Sequence, residues 1–376
     1  MRRNEGTWVA VVLVSATVVC MTCGESGRER ADRPREAAGL IVTVAAPATP
    51  DSPGNSEADV VVLKDGRLLL AYSEFYSGIY SDWAPARISA RISSDGGKTW
   101  GDKFVIVEPK DGLRSAASVN LLRLRDGRIM LGYSKTVSLN DVRFLVRFSS
   151  DEGTTWTDEI NAIPQLAWGF LINNKLVQLG SGRILAPYSY SPDIERVNHF
   201  RVRVYFSDDG GSTWQASKTE IDLPKRGAME PGVVELKDGS VMMHIRTQLA
   251  RVYSAQSSDQ GLTWSEPEPM MLLCPESPTA MARIPSTGDL LVVFNNTFDP
   301  TRRIRRPLTS AISPDEGRTW KHFRNFESDV AYEYCYPSIT FDKDRVLLTY
   351  YRLSRRSDPV TAELIFRSAP VGSFYH

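Results

Sequence analysis

Glu230, Arg246 and Tyr336 are the residues of this chain best suited to chemistry. A tyrosine is an ordinary poor nucleophile, because its phenol ionises near pH 10. A carboxylate beside the hydroxyl takes that proton as attack begins. Glu230, in Met229-Glu230-Pro231-Gly232, opens an apolar run, and Arg246 follows sixteen residues later in His244-Ile245-Arg246-Thr247. A guanidinium offers a two-pronged fork to a substrate carboxylate; the plainer reading of Glu230 with Arg246 is a structural ion pair. Tyr336 ends the run Tyr332-Glu333-Tyr334-Cys335-Tyr336, so Tyr332 and Tyr334 are alternative nucleophiles and aromatic packing is the plain reading. Asp82, in the segment 75–86, fits a mobile acid/base or a solubilising surface charge. Arg302, Arg303, Arg305 and Arg306 concentrate positive charge in a chain of zero net charge, which suits an anionic ligand or a solvated basic loop.

These side chains need elements that bring them together. An apolar run, a tight turn and a second apolar run recur at 60–73, 121–134, 176–189, 233–246, 281–295 and 339–352, and each reads as a β-hairpin. Counting from the turn residues Asp65, Asp126, Ser181, Asp238, Thr287 and Asp344 gives every hairpin a register. Eight positions earlier stand Glu57, Ser118, Asn173, Glu230, Thr279 and Tyr336; eight later stand Ser73, Ser134, Ser189, Arg246, Asn295 and Arg352. Both sets lie at the end away from the turn. If the hairpins surround one axis, these residues form a polar ring at one mouth. Asn173 and Asn295 suit sugar hydroxyls there, or equally cap strand ends.

A second repeat fixes the architecture. Ser-x-Asp-x-Gly-x-Thr-Trp occurs five times, ending at Trp100, Trp156, Trp214, Trp264 and Trp320. Its Asp95, Asp151, Asp209, Asp259 and Asp315 accept backbone N–H bonds in a turn, its glycine takes positive φ, and its tryptophan starts a strand and packs between layers. Five equivalent aspartates in five equivalent turns are structural. With one further strand upstream of each copy, every unit has four short antiparallel strands. Units repeated at this period give an all-β, six-bladed β-propeller over 51–372. Its last unit is completed by 362–367 and a strand at 40–44, which joins the chain ends.

Residues 1–23, with Arg2 and Arg3 before an apolar stretch, read as an export signal; Cys20 or Cys23 is a possible lipidation point and the one route to a membrane tether. Residues 24–50 read as linker. The protein is therefore expected outside the cytoplasm: periplasmic, extracellular or lipid-anchored. Zero net charge excludes a general nucleic-acid binder. Four scattered histidines, no zinc-spaced cysteines and no phosphate loop point to no metal and no cofactor.

Over roughly residues 50–370 the chain resembles the sialidase (neuraminidase) superfamily with bacterial neuraminidase repeats, the Asp boxes. Glu230-Pro231 with Arg246, Arg306 in Arg305-Arg306-Pro307-Leu308-Thr309, and Tyr336-Pro337-Ser338-Ile339 are similar to the family's site motifs, and Asp82 lies in the loop that carries its acid/base. The resemblance implies a retaining, exo-acting hydrolase that removes terminal sialic acid or a related acidic sugar from a glycan. Tyr336 would be the nucleophile, Glu230 its activator and Asp82 the acid/base, with Arg246 and Arg306 on the substrate carboxylate. The family's Arg-Ile-Pro motif is replaced by Asn55-Ser56-Glu57-Ala58, and Arg352 stands where the family has a glutamate. A Glu57–Arg352 bridge is the economical expectation. A non-catalytic glycan-binding propeller, or a glycosidase for a different sugar, is the alternative.

Overall fold

The computed structural model describes residues 39–376 apart from 110–113, 165–167, 298, 300–303, 355–356 and 358–359. The segment read as an export signal, with Cys20 and Cys23, most of the segment read as linker, and Arg302 and Arg303 lie outside the described residues. All that is described belongs to one compact unit, Ala37–His376. Among the described residues no helix is long and apolar enough to cross a membrane.

The strands assemble in chain order into four-stranded antiparallel units, each an up-and-down meander. Unit one is Gly54–Val62, Leu68–Phe75, Ala86–Ser93 and Phe104–Val107. Unit two is Ser115–Arg123, Ile129–Ser138, Asp141–Ser149 and Ile160–Ile163. Unit three pairs a split inner strand, Trp168–Phe170 and Val177–Gln178, with Ile184–Ser191, Arg201–Ser207 and Gln215–Ala216. Unit four is Met229–Glu235, Val241–Arg246, Arg251–Ser257 and Glu268–Leu273. Unit five is Ala280–Arg283, Leu290–Asn295, Leu308–Ser313 and Lys321–Glu327. Unit six is Tyr332–Asp342, Arg345–Ser354 and Thr361–Pro370, with Ile41–Ala46 from the N-terminal side as its outer strand.

The core lies between these sheets. Leu69 and Ile88 of unit one meet Leu121 and Tyr133 of unit two, Leu185 and Val204 of unit three meet Val233 and Met243 of unit four, and Leu347 and Phe366 of unit six meet Leu68 and Tyr72 of unit one. Each large apolar side chain so buried contributes roughly 1.5–3 kcal/mol. The last contact brings the two ends of the described chain together, reinforced by Thr349 Oγ1 donating to Ala58 O at 3.0 Å and Thr340 Oγ1 to Val60 O at 3.1 Å.

The five Ser-x-Asp-x-Gly-x-Thr-Trp turns share one bond set. In the first, Gly97 N donates to Ser93 Oγ (2.8 Å), Thr99 N to Asp95 Oδ1 (2.9 Å) and Thr99 Oγ1 to Asp95 Oδ2 (2.6 Å). Asp151, Asp209, Asp259 and Asp315 accept the same pair of bonds from Thr155, Thr213, Thr263 and Thr319. These bonds hold all five carboxyls below the ordinary range, Asp95, Asp151, Asp209 and Asp315 at about 2, mainly through the threonine hydroxyl and N–H; for Asp259 burial pulls the other way and is outweighed by the same bonds. Gly97 has φ +90° and lies against the Phe366 ring, so a side chain would clash there.

Candidate active site

At the end away from the hairpin turns, the inner strands share an irregularity. Pairing in unit one slips between Ser56 and Asp59, in unit two between Ala117 and Asn120, in unit four between Met229 and Gly232, and in unit six between Cys335 and Ser338. Each slip is a bulge, and inside each sits a non-glycine residue with positive φ: Glu57 (46°), Ser118 (65°), Glu230 (43°) and Tyr336 (53°). In unit three the positive φ falls one residue later, at Asn174 (58°) next to Asn173. Such a conformation costs of order 1–3 kcal/mol and persists only where the surroundings enforce it. Bulges re-aim side chains, and in units one, four and six they bring Glu57, Glu230 and Tyr336 near enough for their charges to bear on one another.

Tyr336 donates its phenol O–H to Glu230 Oε1 at 2.7 Å. Arg246 Nη1 donates to Glu230 Oε2 at 2.5 Å and lies 3.4 Å from the Tyr336 oxygen. Glu230 and Arg246 are 4% and 7% exposed, so the pair is shielded from solvent. The structure thus brings together the three residues singled out by spacing. Burial first, then the Glu230 charge, pushes the Tyr336 phenol well above its usual range, against the opposing pull of Arg246 and Arg305. The phenol is therefore protonated at rest, and Glu230 stands where its proton would go. Burial disfavours charge on Arg246, but Glu230 and Tyr336 outweigh it and keep the guanidinium ionised.

Glu276 was not visible as a site residue in the sequence. It receives an ion pair from Arg226, a bond from Gln248 Nε2 at 2.8 Å and a longer one from Arg246 Nη2 at 3.4 Å. Burial raises its carboxyl, yet Arg246, Gln248 and Arg226 bring it below the ordinary value. Arg246 is thus held between two glutamates, with only its Nε lacking a partner. Its fork is engaged by Glu230 rather than open, so the structural ion pair anticipated as the plainer reading is present. Glu276 was detectable only as a charge inside Cys274-Pro275-Glu276-Ser277-Pro278, just upstream of a strand.

Three expectations need correction. Arg305, not Arg306, faces the site: its guanidinium lies 5.7 Å from the Tyr336 ring centre and donates to Glu276 O at 3.4 Å. Tyr334 N–H donates to Arg305 O at 2.9 Å and pins that residue against unit six; Arg306 makes none of these contacts. Arg352 does not bridge to Glu57. It donates to Glu363 Oε2 at 2.6 Å and covers the Tyr332 ring at 4.6 Å. The cause is the turn: Asp342 pairs directly with Arg345, and this tighter turn shifts the pairing register by one residue relative to unit four, so Cys335 pairs with Tyr351 as Met229 pairs with Arg246. Tyr351 takes the mouth position and stacks on Tyr336 at 5.7 Å.

Asn173 and Asn295 are buried braces rather than ligand-facing amides. Asn173 Nδ2 donates to Ala58 O (2.9 Å) and Tyr336 O (3.1 Å), and Asn295 Nδ2 to Tyr334 O (3.1 Å). Asn174 bridges Asp59 Oδ1 and Ile339 N, each at 2.9 Å, and Lys175 Nζ donates to Thr279 O at 2.8 Å. This axial hub ties units one, three, five and six beneath the mouth and fixes the Tyr336 backbone. Asp82 is exposed in the unit-one loop, and its charge bears on Glu57 and Tyr80. Glu57 accepts from Ser118 Oγ at 2.7 Å. Burial pushes it up to about 7; the Ser118 bond and Arg305 oppose this, and the Asp82 and Glu230 charges add to it. Among the described residues no group of three or more His, Cys, Asp or Glu is arranged to hold a metal ion.

Four-stranded meanders around a tyrosine–glutamate–arginine site define a class, and comparison places the chain within it. Residues 81–348 match the BNR repeat-like domain family. The chain is 24% identical over 328 residues to a sialidase of Bacteroides fragilis, covering 77% of this chain and 58% of the relative. It is 26% identical over 308 residues to a sialidase of Micromonospora viridifaciens, covering 71% and 45%. It thus spans about half the length of these relatives. The fold is similar to that of the intramolecular trans-sialidase of Ruminococcus gnavus, with TM-score 0.71, 15% identity and coverage of 89% and 98%. The protein belongs to the BNR-repeat sialidase superfamily, and its sheets resemble the blades of sialidase propellers.

Proposed function

We propose that the protein is a retaining, exo-acting glycoside hydrolase built on a closed six-bladed propeller and exported from the cytoplasm. The observation that carries the reading is the buried contact of the Tyr336 hydroxyl with Glu230, itself clamped by Arg246. Tyr336 Oη attacks the anomeric carbon while its proton passes to Glu230 Oε1. Asp82, on its exposed loop, gives a proton to the departing oxygen. A glycosyl–tyrosine bond forms as the glycosidic bond breaks. Asp82 then takes a proton from water, whose oxygen displaces the tyrosine, and Glu230 returns the proton to the phenolate. Tyrosine nucleophiles are the sialidase exception to the two-carboxylate scheme. Arg246 and Glu276 act as positioning residues for Glu230.

The relatives' names favour terminal sialic acid or a related acidic sugar as the substrate. Glu57 at the mouth favours a second reading, a terminal sugar other than sialic acid. Turnover of aryl glycosides by the wild type and by Tyr336→Phe tests the hydrolase: activity in the wild type that vanishes in the variant supports it, and full activity in the variant sinks it.

A further inference from the structure

Glu57 occupies in unit one the bulge position that Glu230 holds in unit four and Tyr336 in unit six, with the same left-handed backbone. All three side chains therefore enter one mouth, and the Glu57 charge bears on the Tyr336 phenol. Among the described residues its one hydrogen bond is from Ser118, a neutral donor. Arginines do stand at this mouth, but they are engaged elsewhere: Arg226 pairs with Glu276, Arg246 with Glu230 and Glu276, and Arg305 lies over the Tyr336 ring. Against Arg226, Arg246 and Arg305 stand Glu230, Glu276, Glu57 and Asp82. Among the described residues, a sugar seated for attack by Tyr336 thus meets no surplus of positive charge, and on the unit-one side it meets two acidic groups.

We propose that Glu57 forms a hydrogen-bond-accepting subsite for sugar hydroxyls, and that the substrate is a terminal glycoside carrying no carboxylate at its anomeric carbon. This rests on the reading of Tyr336 as the nucleophile. Like charges brought close in a shielded site repel strongly, and an unpaired carboxylate discriminates against an anion while rewarding a donor. Burial first, then the Asp82 and Glu230 charges, pushes the Glu57 carboxyl up to about 7, so the discrimination against anions strengthens as pH rises through that value.

The test is turnover of a panel of nitrophenyl glycosides, the α-N-acetylneuraminide and a glucuronide against neutral hexosides, deoxyhexosides and pentosides. For the wild type, kcat/KM for at least one neutral member is expected to exceed that for either anionic member tenfold or more. Glu57→Arg is expected to shift that ratio at least a hundredfold toward the neuraminide. Where Glu57→Arg does not fold by circular dichroism, Glu57→Gln is expected to shift it about tenfold the same way. A wild type that prefers an anionic member, or a ratio untouched by the substitution, overturns the proposal. If nothing is cleaved, the hydrolase reading fails and calorimetry with the free sugars decides this one: binding of a neutral sugar that Glu57→Gln weakens supports it, while a preference for N-acetylneuraminate, or no sugar binding at all, overturns it.

Discussion

Replacing Tyr336 by phenylalanine removes one oxygen and little else. The ring remains stacked on Tyr351 and covered by Arg305, and the Asn173 bond to the Tyr336 carbonyl is untouched. What is lost is a hydrogen bond to a carboxylate, which contributes at most about 1.5–3 kcal/mol. Part of this is returned, because the buried phenol no longer has to be desolvated and Glu230 keeps Arg246. A net loss of about 1–2 kcal/mol in a domain of this size lowers Tm by only about 2–4 °C. The chemical consequence is far larger. Without the phenol no covalent glycosyl–enzyme bond can form, and a fall in kcat of at least about a thousandfold corresponds to about 4 kcal/mol in the barrier. The assay pairs initial rates on the best glycoside of the wild type with a thermal melt, and with intact-protein mass after rapid quench, where only the wild type should gain the mass of one sugar. A Tyr336→Phe protein that melts normally and keeps a tenth or more of the wild-type rate would refute the assignment, and Tyr334 would not rescue it, since that ring is packed in the core between units five and six.

Arg246→Met leaves Glu230 and Glu276 buried without their shared cation and is expected to cost about 3–5 kcal/mol in urea unfolding; adding Glu230→Gln should recover part of this, and strictly additive losses would exclude the coupling. The five turn aspartates have folded-state pKa values below their ordinary value, so their stabilisation is present above pH ~4 and is lost as pH falls, for Asp95, Asp151, Asp209 and Asp315 through about 2. Melts between pH 5 and 2 should show that decline, and Asp95→Asn should flatten it; an unchanged slope would count against these turns as its source. Lys343, exposed at φ 54° in the tight turn of unit six, should become more stable by up to about 1 kcal/mol as Lys343→Gly, read as a higher melting temperature.

The sequence disclosed what repeats and hid what does not. Hairpins at a regular period gave one register for all units, and that register placed Glu230, Arg246 and Tyr336 together without any knowledge of contacts. The same counting misassigned Arg352, because the tighter sixth turn shifts the pairing register by one residue and strand faces alternate with every residue. Arg305 and Arg306 were indistinguishable in a basic run until a backbone bond pinned one of them. Asn173 and Asn295 looked like ligands for sugar because an amide suited to a hydroxyl is equally suited to a carbonyl. Glu276 and Arg226 escaped notice since their pairing crosses fifty residues and two units, which no local pattern encodes.

The recurring left-handed residue in the inner strands separates scaffold from chemistry. Glutamate, serine and tyrosine all occupy it, so the backbone there does not depend on the side chain it displays. The positions behave as interchangeable sockets spaced around an axis, each with its strain already met by neighbouring pairings. A single exchange in one socket can redirect which molecule is recognised while the other sockets and the sheets stay in place. Divergence within such a scaffold should therefore proceed by discrete substitutions at the rim rather than by remodelling of the fold.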